Sequence, residues 1–147
     1  MKHLTYPIVC VLLFAGGCQF PDHPTVRVVS VSLAEQTDAG VRVELLIAVE
    51  NPNSVSLPLK QNRYSLTLDQ VGTFSFTDAA NRTLPARGVQ TLTMAAALAT
   101  NGRDVTGTPY HVTGSISYEP PGEVRKLFTD AGVPLPAVQF SDSGRLE

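Results

Sequence analysis

Between Val41 and Val49 every second residue is apolar (Val41, Val43, Leu45, Ile47, Val49), which is the period of a β-strand and not of a helix. The intervening positions read Arg42, Glu44, Leu46, Ala48 and then Glu50, so the second face of this strand is polar at its ends and coverable only in its middle. The run stops at Asn51-Pro52-Asn53. Proline has no N–H and a fixed φ, so it ends a ladder, and it pushes the residue before it toward extended geometry. Asn51 and Asn53 can bond nearby backbone groups and build the corner.

The same period recurs along the chain. Val26 to Leu33 alternates but slips phase at Val28-Val29, which predicts a bulge. Thr37 to Gly40 supplies the turn into the long strand. Tyr64, Leu66 and Leu68 alternate with Ser65 and Thr67, and after a turn at Gln70-Val71-Gly72, Phe74 and Phe76 alternate with Thr73 and Ser75. Leu92, Met94, Ala96 and Leu98 line a strand entered through Leu84-Pro85-Ala86-Arg87-Gly88. Thr100 to Pro109 is polar, with room for at most one helical turn. Tyr110, Val112, Gly114, Ile116 and Tyr118 form another alternating set. Pro120-Pro121-Gly122 then predicts a tight turn, with Val124 to Thr129 returning as a hairpin partner. Residues 137–147 read as a C-terminal tail that packs along an edge through Val138-Gln139-Phe140 and frays. The aromatics Tyr64, Phe74, Phe76, Tyr110 and Tyr118 fall on apolar faces and are expected in the core. The predicted fold is all-β: an antiparallel β-sandwich of about seven strands, fibronectin-type-III/immunoglobulin-like.

The N-terminus follows other rules. Met1-Lys2-His3 is a positive n-region, and Leu4 to Phe14 has the length of a signal-peptide h-region. That is too short for a membrane span of ~20 apolar residues. Ala15-Gly16-Gly17-Cys18 resembles a bacterial lipobox, with Ala15 where leucine is commonest. The resemblance implies that residues 1–17 are removed and that Cys18 is acylated. Of the two cysteines, Cys10 would leave with the leader, so no disulfide and no thiol nucleophile would remain. Gln19 follows Cys18, where aspartate would favour inner-membrane retention, so the expected location is the outer membrane, facing the periplasm. Residues 18–24 form a tether; at ~3.3–3.6 Å per residue, the stretch up to the first strand reaches ~25 Å. The domain proper is expected over residues 25–136.

NPNSVSLPL at Asn51 to Leu59, Tyr64-Ser65-Leu66, LPARG at Leu84 to Gly88 and YHVTGSISY at Tyr110 to Tyr118 together resemble the LEA type 2 (late-embryogenesis-abundant group 2) or WHy (water stress and hypersensitive response) domain. The family-motif positions are Asn51, Pro52, Asn53, Leu57, Pro58, Tyr64, Leu66, Tyr110 and Gly114, and their expected role is structural. The resemblance implies a fibronectin-type-III-like sandwich that acts without catalysis in desiccation, cold or related stress. Many late-embryogenesis-abundant proteins are disordered. This chain is 43% hydrophobic and only 16% charged, the balance of a folded domain.

Charge and chemistry narrow the remaining classes. The net charge is −2, and removal of Lys2 takes the mature chain to about −3; its arginines are dispersed singly, so no basic stripe for nucleic acid is present. His23 and His111 stand in no metal-ligand spacing, the acids form no calcium loop, and no Gly-x-Ser-x-Gly elbow occurs. No cofactor and no metal is implied. The first expectation is a non-catalytic envelope lipoprotein, held on the membrane through acylated Cys18 and protecting unfolded or labile envelope proteins or the membrane itself. The second is an adaptor that lends an edge strand to one envelope complex. An enzyme would have to work through His111 or a nearby carboxylate.

Overall fold

A computed structural model describes residues 21–147. The leader, Cys10, Cys18 and Gln19 lie outside the described residues. The elements are β1 (Thr25–Gln36), β2 (Gly40–Glu50), β3 (Leu57–Leu68), β4 (Gly72–Leu84), β5 (Val89–Ala99), β6 (Pro109–Tyr118), α1 (Glu123–Asp130) and β7 (Ala137–Arg145). Seven antiparallel strands form two sheets, ordered β1-β2-β5 and β4-β3-β6-β7. In constant-type immunoglobulin domains the fourth strand joins the first, second and fifth. Here β4 pairs with β3, the other arm of the predicted pair of folds.

The apolar face of β2 is the centre of the core: Val43, Leu45, Ile47 and Val49 are fully buried and Val41 nearly so. The facing sheet contributes Leu57, Leu59, Tyr64, Leu66 and Leu68 from β3, and Val112, Ile116 and Tyr118 from β6. Between β1 and β2 the register shifts at Val28/Ser30, which places the bulge at Val29, where the hydrophobic phase slips. The hairpin of β3 and β4 turns through residues 69–71, with Val71 N–H donating to Leu68 O at 3.1 Å.

Three expectations are corrected. Residues 124–129 are not a hairpin strand but the body of α1, and β6 takes β7 as its partner instead. Val124, Leu127, Phe128 and Ala131 lie at helical spacing, and this period wins over the turn signal before it. Residues 137–147 are not a fraying tail. They form β7 and continue to Leu146, which is 1% exposed in the core. Leu146 N–H donates to Thr108 O at 3.0 Å, and Leu33 N–H donates to Glu147 O at 3.1 Å, so the C-terminus joins both sheets. Phe76 is 44% exposed rather than in the core. It sits on an edge strand and leans on Phe74 (ring centroids 6.0 Å, stacked) and Tyr64 (5.9 Å).

Antiparallel pairing brings the connections to two ends. The distal end carries the connections 37–39, 69–71 and 100–108. The proximal end carries residues 21–24, the corner at 51–56, the loop at 85–88 and the long connection containing α1.

Candidate functional site

The proximal end is organised around Asn51, which is fully buried. Its Nδ2 donates to Val55 O (2.8 Å) and Pro85 O (3.0 Å), and its Oδ1 accepts from Asn53 N–H (3.0 Å) and Asn53 Nδ2 (3.0 Å). Its backbone N–H reaches Gly88 O at 2.9 Å. An amide side chain has two donors and one double acceptor, so the whole capacity of Asn51 is taken up inside the protein. Arg87 N–H donates to Asn53 O at 2.8 Å, so the Asn-Pro-Asn corner and the Leu-Pro-Ala-Arg-Gly loop form one network. Leu57 is fully buried just after the corner, and Pro58 O accepts Glu119 N–H at 2.9 Å.

Asn53 also holds the N-terminal segment. Asp22 N–H donates to its Oδ1 (2.8 Å) and its Nδ2 donates to Asp22 O (2.7 Å), the two-way pairing of a peptide strand. His23 Nδ1 meets Tyr118 OH at 2.6 Å. Residues 22 and 23 are therefore fastened to the domain. An open cleft of about 710 Å³ lies between Pro21-Asp22, the corner from Pro52 to Val55, Arg87 and the entry to α1 (Pro121, Gly122, Val124). Beside it Glu119 takes Lys60 Nζ at 2.6 Å and Arg125 at 2.8 Å. These two hydrogen-bonded cations, Lys60 first, hold its carboxyl below the usual carboxylate range.

The other motif residues pack the sandwich. Leu66 is fully buried, and Tyr64 OH donates to Ala95 O across the two sheets. Gly114 lies opposite both Tyr64 and Phe140. A Cβ at Gly114 would meet the Phe140 ring at 2.2 Å, so glycine makes the space that the ring fills. Tyr110 repeats the device one end further on: its ring lies over Gly144 and its OH donates to Asp142 Oδ2 at 2.7 Å.

All three described tyrosines are shifted in one direction. Burial pushes Tyr64 and Tyr118 above the ordinary phenol value; burial and then the Asp142 hydrogen bond and charge push Tyr110 up to about 12. A folded pKa above the unfolded value of ~10 stabilises the fold fully below that pH. The contribution is lost as pH rises from ~10 through about 12. Tyrosinate absorbance of the mature domain should therefore lag behind free tyrosine and rise together with loss of β-sheet circular dichroism. Ionisation of all three near pH ~10 with the fold intact would contradict the packing described.

The outer face of the four-stranded sheet carries hydroxyls with little charge. Ser65 bonds Ser75 (3.1 Å), Thr67 bonds Thr73 (2.9 Å) and His111 Nδ1 bonds Ser143 Oγ (2.7 Å), each pair across strands. A shallow groove of about 440 Å³ crosses this face between Arg63, Ser65, Ser75, Thr77, Thr113 and Ser115. His111 and Ser143 are exposed, lie outside that groove, and have no carboxylate bonded to the imidazole among the described residues. A nucleophile–base pair needs such an orienting partner. No group of three His, Cys, Asp or Glu among the described residues is placed to hold a metal ion.

Neither the search against family models nor the search of curated proteins returned a match. Solved structures do resemble this chain. A candidate late embryogenesis abundant (LEA) protein, At2g46140.1, superposes with a TM-score of 0.64 at 21% identity, over 84% of this chain and 70% of that one. AT1g01470 from Arabidopsis thaliana gives 0.54 at 17% identity, over 87% and 84%. The fold is an all-β sandwich shared with these two solved structures.

Proposed function

We propose that this chain is a lipid-anchored, non-catalytic envelope protein whose LEA-type sandwich protects neighbouring proteins or the membrane surface during drying or cold. The observation that carries this reading is the hydroxyl-rich outer face of the four-stranded sheet, set on a fold resembling that of LEA proteins. Each hydroxyl donates one hydrogen bond and accepts others. A broad, nearly uncharged array of them replaces bonds that a labile surface makes to water, without demanding a charged partner. Acylation at Cys18 would keep this face where envelope proteins lose water.

A drying assay tests it. The mature domain should slow aggregation of a labile enzyme through dehydration better than an equal mass of albumin. Charged substitution across the face (Ser65→Glu with Thr113→Glu) should remove that advantage while leaving the fold intact. Parity of the unsubstituted domain with albumin would sink the reading.

One observation favours a second reading. β4 is a thirteen-residue edge strand that also exposes Phe76, and such an edge accepts another strand unless it is blocked. An adaptor using that edge gives a single dominant photo-cross-linking partner in cells, whereas a protective domain gives many.

A further inference from the structure

The proximal end collects the apolar surface that the fold leaves uncovered. Six large apolar side chains are exposed among the described residues, and four of them, Val55, Val89, Leu127 and Val133, belong to this end. α1 buries none of its residues; Leu127 is 65% and Val133 50% exposed. With Phe128 and Ala131 they line an apolar depression of about 280 Å³ on the molecular surface. An eight-residue helix is marginal by itself, since helices in proteins draw most of their stability from packing an apolar face. This one has its apolar face turned outward.

Where the described chain begins says what covers that face. Pro21 and Asp22 lie in the cleft beside Val55 and Val124, so the polypeptide leaves the domain at this same end. If Cys18 is acylated, only three peptide steps separate the lipid from Pro21, a reach of roughly 10 Å. Neighbouring charge does not oppose contact with lipid. Lys60, Arg125 and Lys126 balance Glu119, Glu123 and Asp130 around α1, with Glu119 bonded to Lys60 and Arg125 and Glu123 paired with Lys126.

We infer that the proximal end is a bilayer-docking surface, in which the apolar face of α1, Val133 and Val55 enter the interfacial layer of the membrane that holds the anchor. This rests on the lipoprotein reading above. The acyl chains fix distance, and the apolar face fixes orientation, so that the sandwich stands on its proximal end with the hydroxyl face upright beside the membrane. Interfacial apolar segments sit ~5–10 Å into the headgroup region. Contact made by apolar side chains and neutralised charges needs no anionic lipid.

The chain contains no tryptophan, so a single introduced indole reports on one place. Leu127→Trp and Phe76→Trp are made separately in the full chain, purified from membranes, and reconstituted into phosphatidylcholine vesicles with brominated acyl chains. Phe76 is eight residues up β4 from its proximal end, roughly 25 Å away. The Leu127→Trp emission should shift to shorter wavelength and be quenched, equally in low and high salt; the Phe76→Trp emission should do neither. The mass of the purified chain separates the two ideas. An acylated chain whose Leu127→Trp emission is unquenched overturns docking and leaves anchoring intact, and a chain not acylated at Cys18 overturns both. A shift without quenching means that protein, a second copy or a partner, covers the face, and this also overturns lipid docking.

Discussion

Asn51→Ala should destabilise the domain by about 4 kcal/mol, at the cost of roughly 1 kcal/mol for each part-buried hydrogen bond lost. Four side-chain bonds disappear together. The corner after β2 would lose its hold on the loop between β4 and β5, leaving the backbone bonds Asn51 N–H to Gly88 O and Arg87 N–H to Asn53 O to join them. Asn51→Asp should be no milder. A carboxylate cannot donate to Val55 O or Pro85 O, and the site gives it no access to solvent. Asn53→Ala should cost less, because its side chain makes one part-buried bond, to Asn51 Oδ1, and its bonds to Asp22 are exposed. Native domains have only about 5–15 kcal/mol in hand. Urea unfolding monitored by circular dichroism gives the answer as a fall in midpoint at unchanged slope. A midpoint for Asn51→Ala indistinguishable from that of the parent would show that the network contributes little.

The role of Asn51 was half legible in the sequence. That Asn-Pro-Asn builds a corner follows from local chemistry, because the proline ends the strand and the asparagines bond nearby backbone. That Asn51 also grips Pro85, 34 residues away, does not follow, since no local preference encodes which loop will lie beside the corner in space. The same division runs through the fold. β2 announced itself through an unbroken period of two, and the bulge at Val29 through a slip in that period. α1 was hidden by Pro120-Pro121-Gly122, a genuine turn signal that was followed by a helix instead of a strand. Its apolar positions at helical spacing (Val124, Leu127, Phe128) were readable, yet none of them is buried, so they carry no core signal. The fastening of Asp22 and His23 was invisible for the reason that hid the Pro85 contact.

Ending the chain at Pro136 should abolish folding, although the hydrophobic pattern makes residues 137–147 look dispensable. The period of two begins at Val138 and Phe140 and then fails at Asp142 and Gly144 before returning at Leu146. Tyr110 explains both failures: its hydroxyl occupies Asp142 and its ring occupies the space over Gly144. The strand is therefore continuous, and its polar interruption is matched by a partner on β6. Truncation would uncover β6 along its whole length and remove Phe140 from above Gly114. It would also take away Leu146 and the bond from Leu33 to Glu147 that ties β1 to the far sheet. Burying each such apolar side chain contributes ~1.5–3 kcal/mol, so losing Phe140 and Leu146 together with the ladder consumes most or all of the stability available. A milder variant keeps the question answerable if the truncated chain is simply degraded. Leu146→Ala should cost about 3 kcal/mol, within the range for leucine in a closed core. It should lower the thermal midpoint while leaving the far-ultraviolet spectrum of the folded state unchanged. A truncated chain that retained a cooperative transition would mean that β7 is an ornament on a six-stranded core, and the bonds from residues 146 and 147 to both sheets argue that it is instead the element that closes the sandwich.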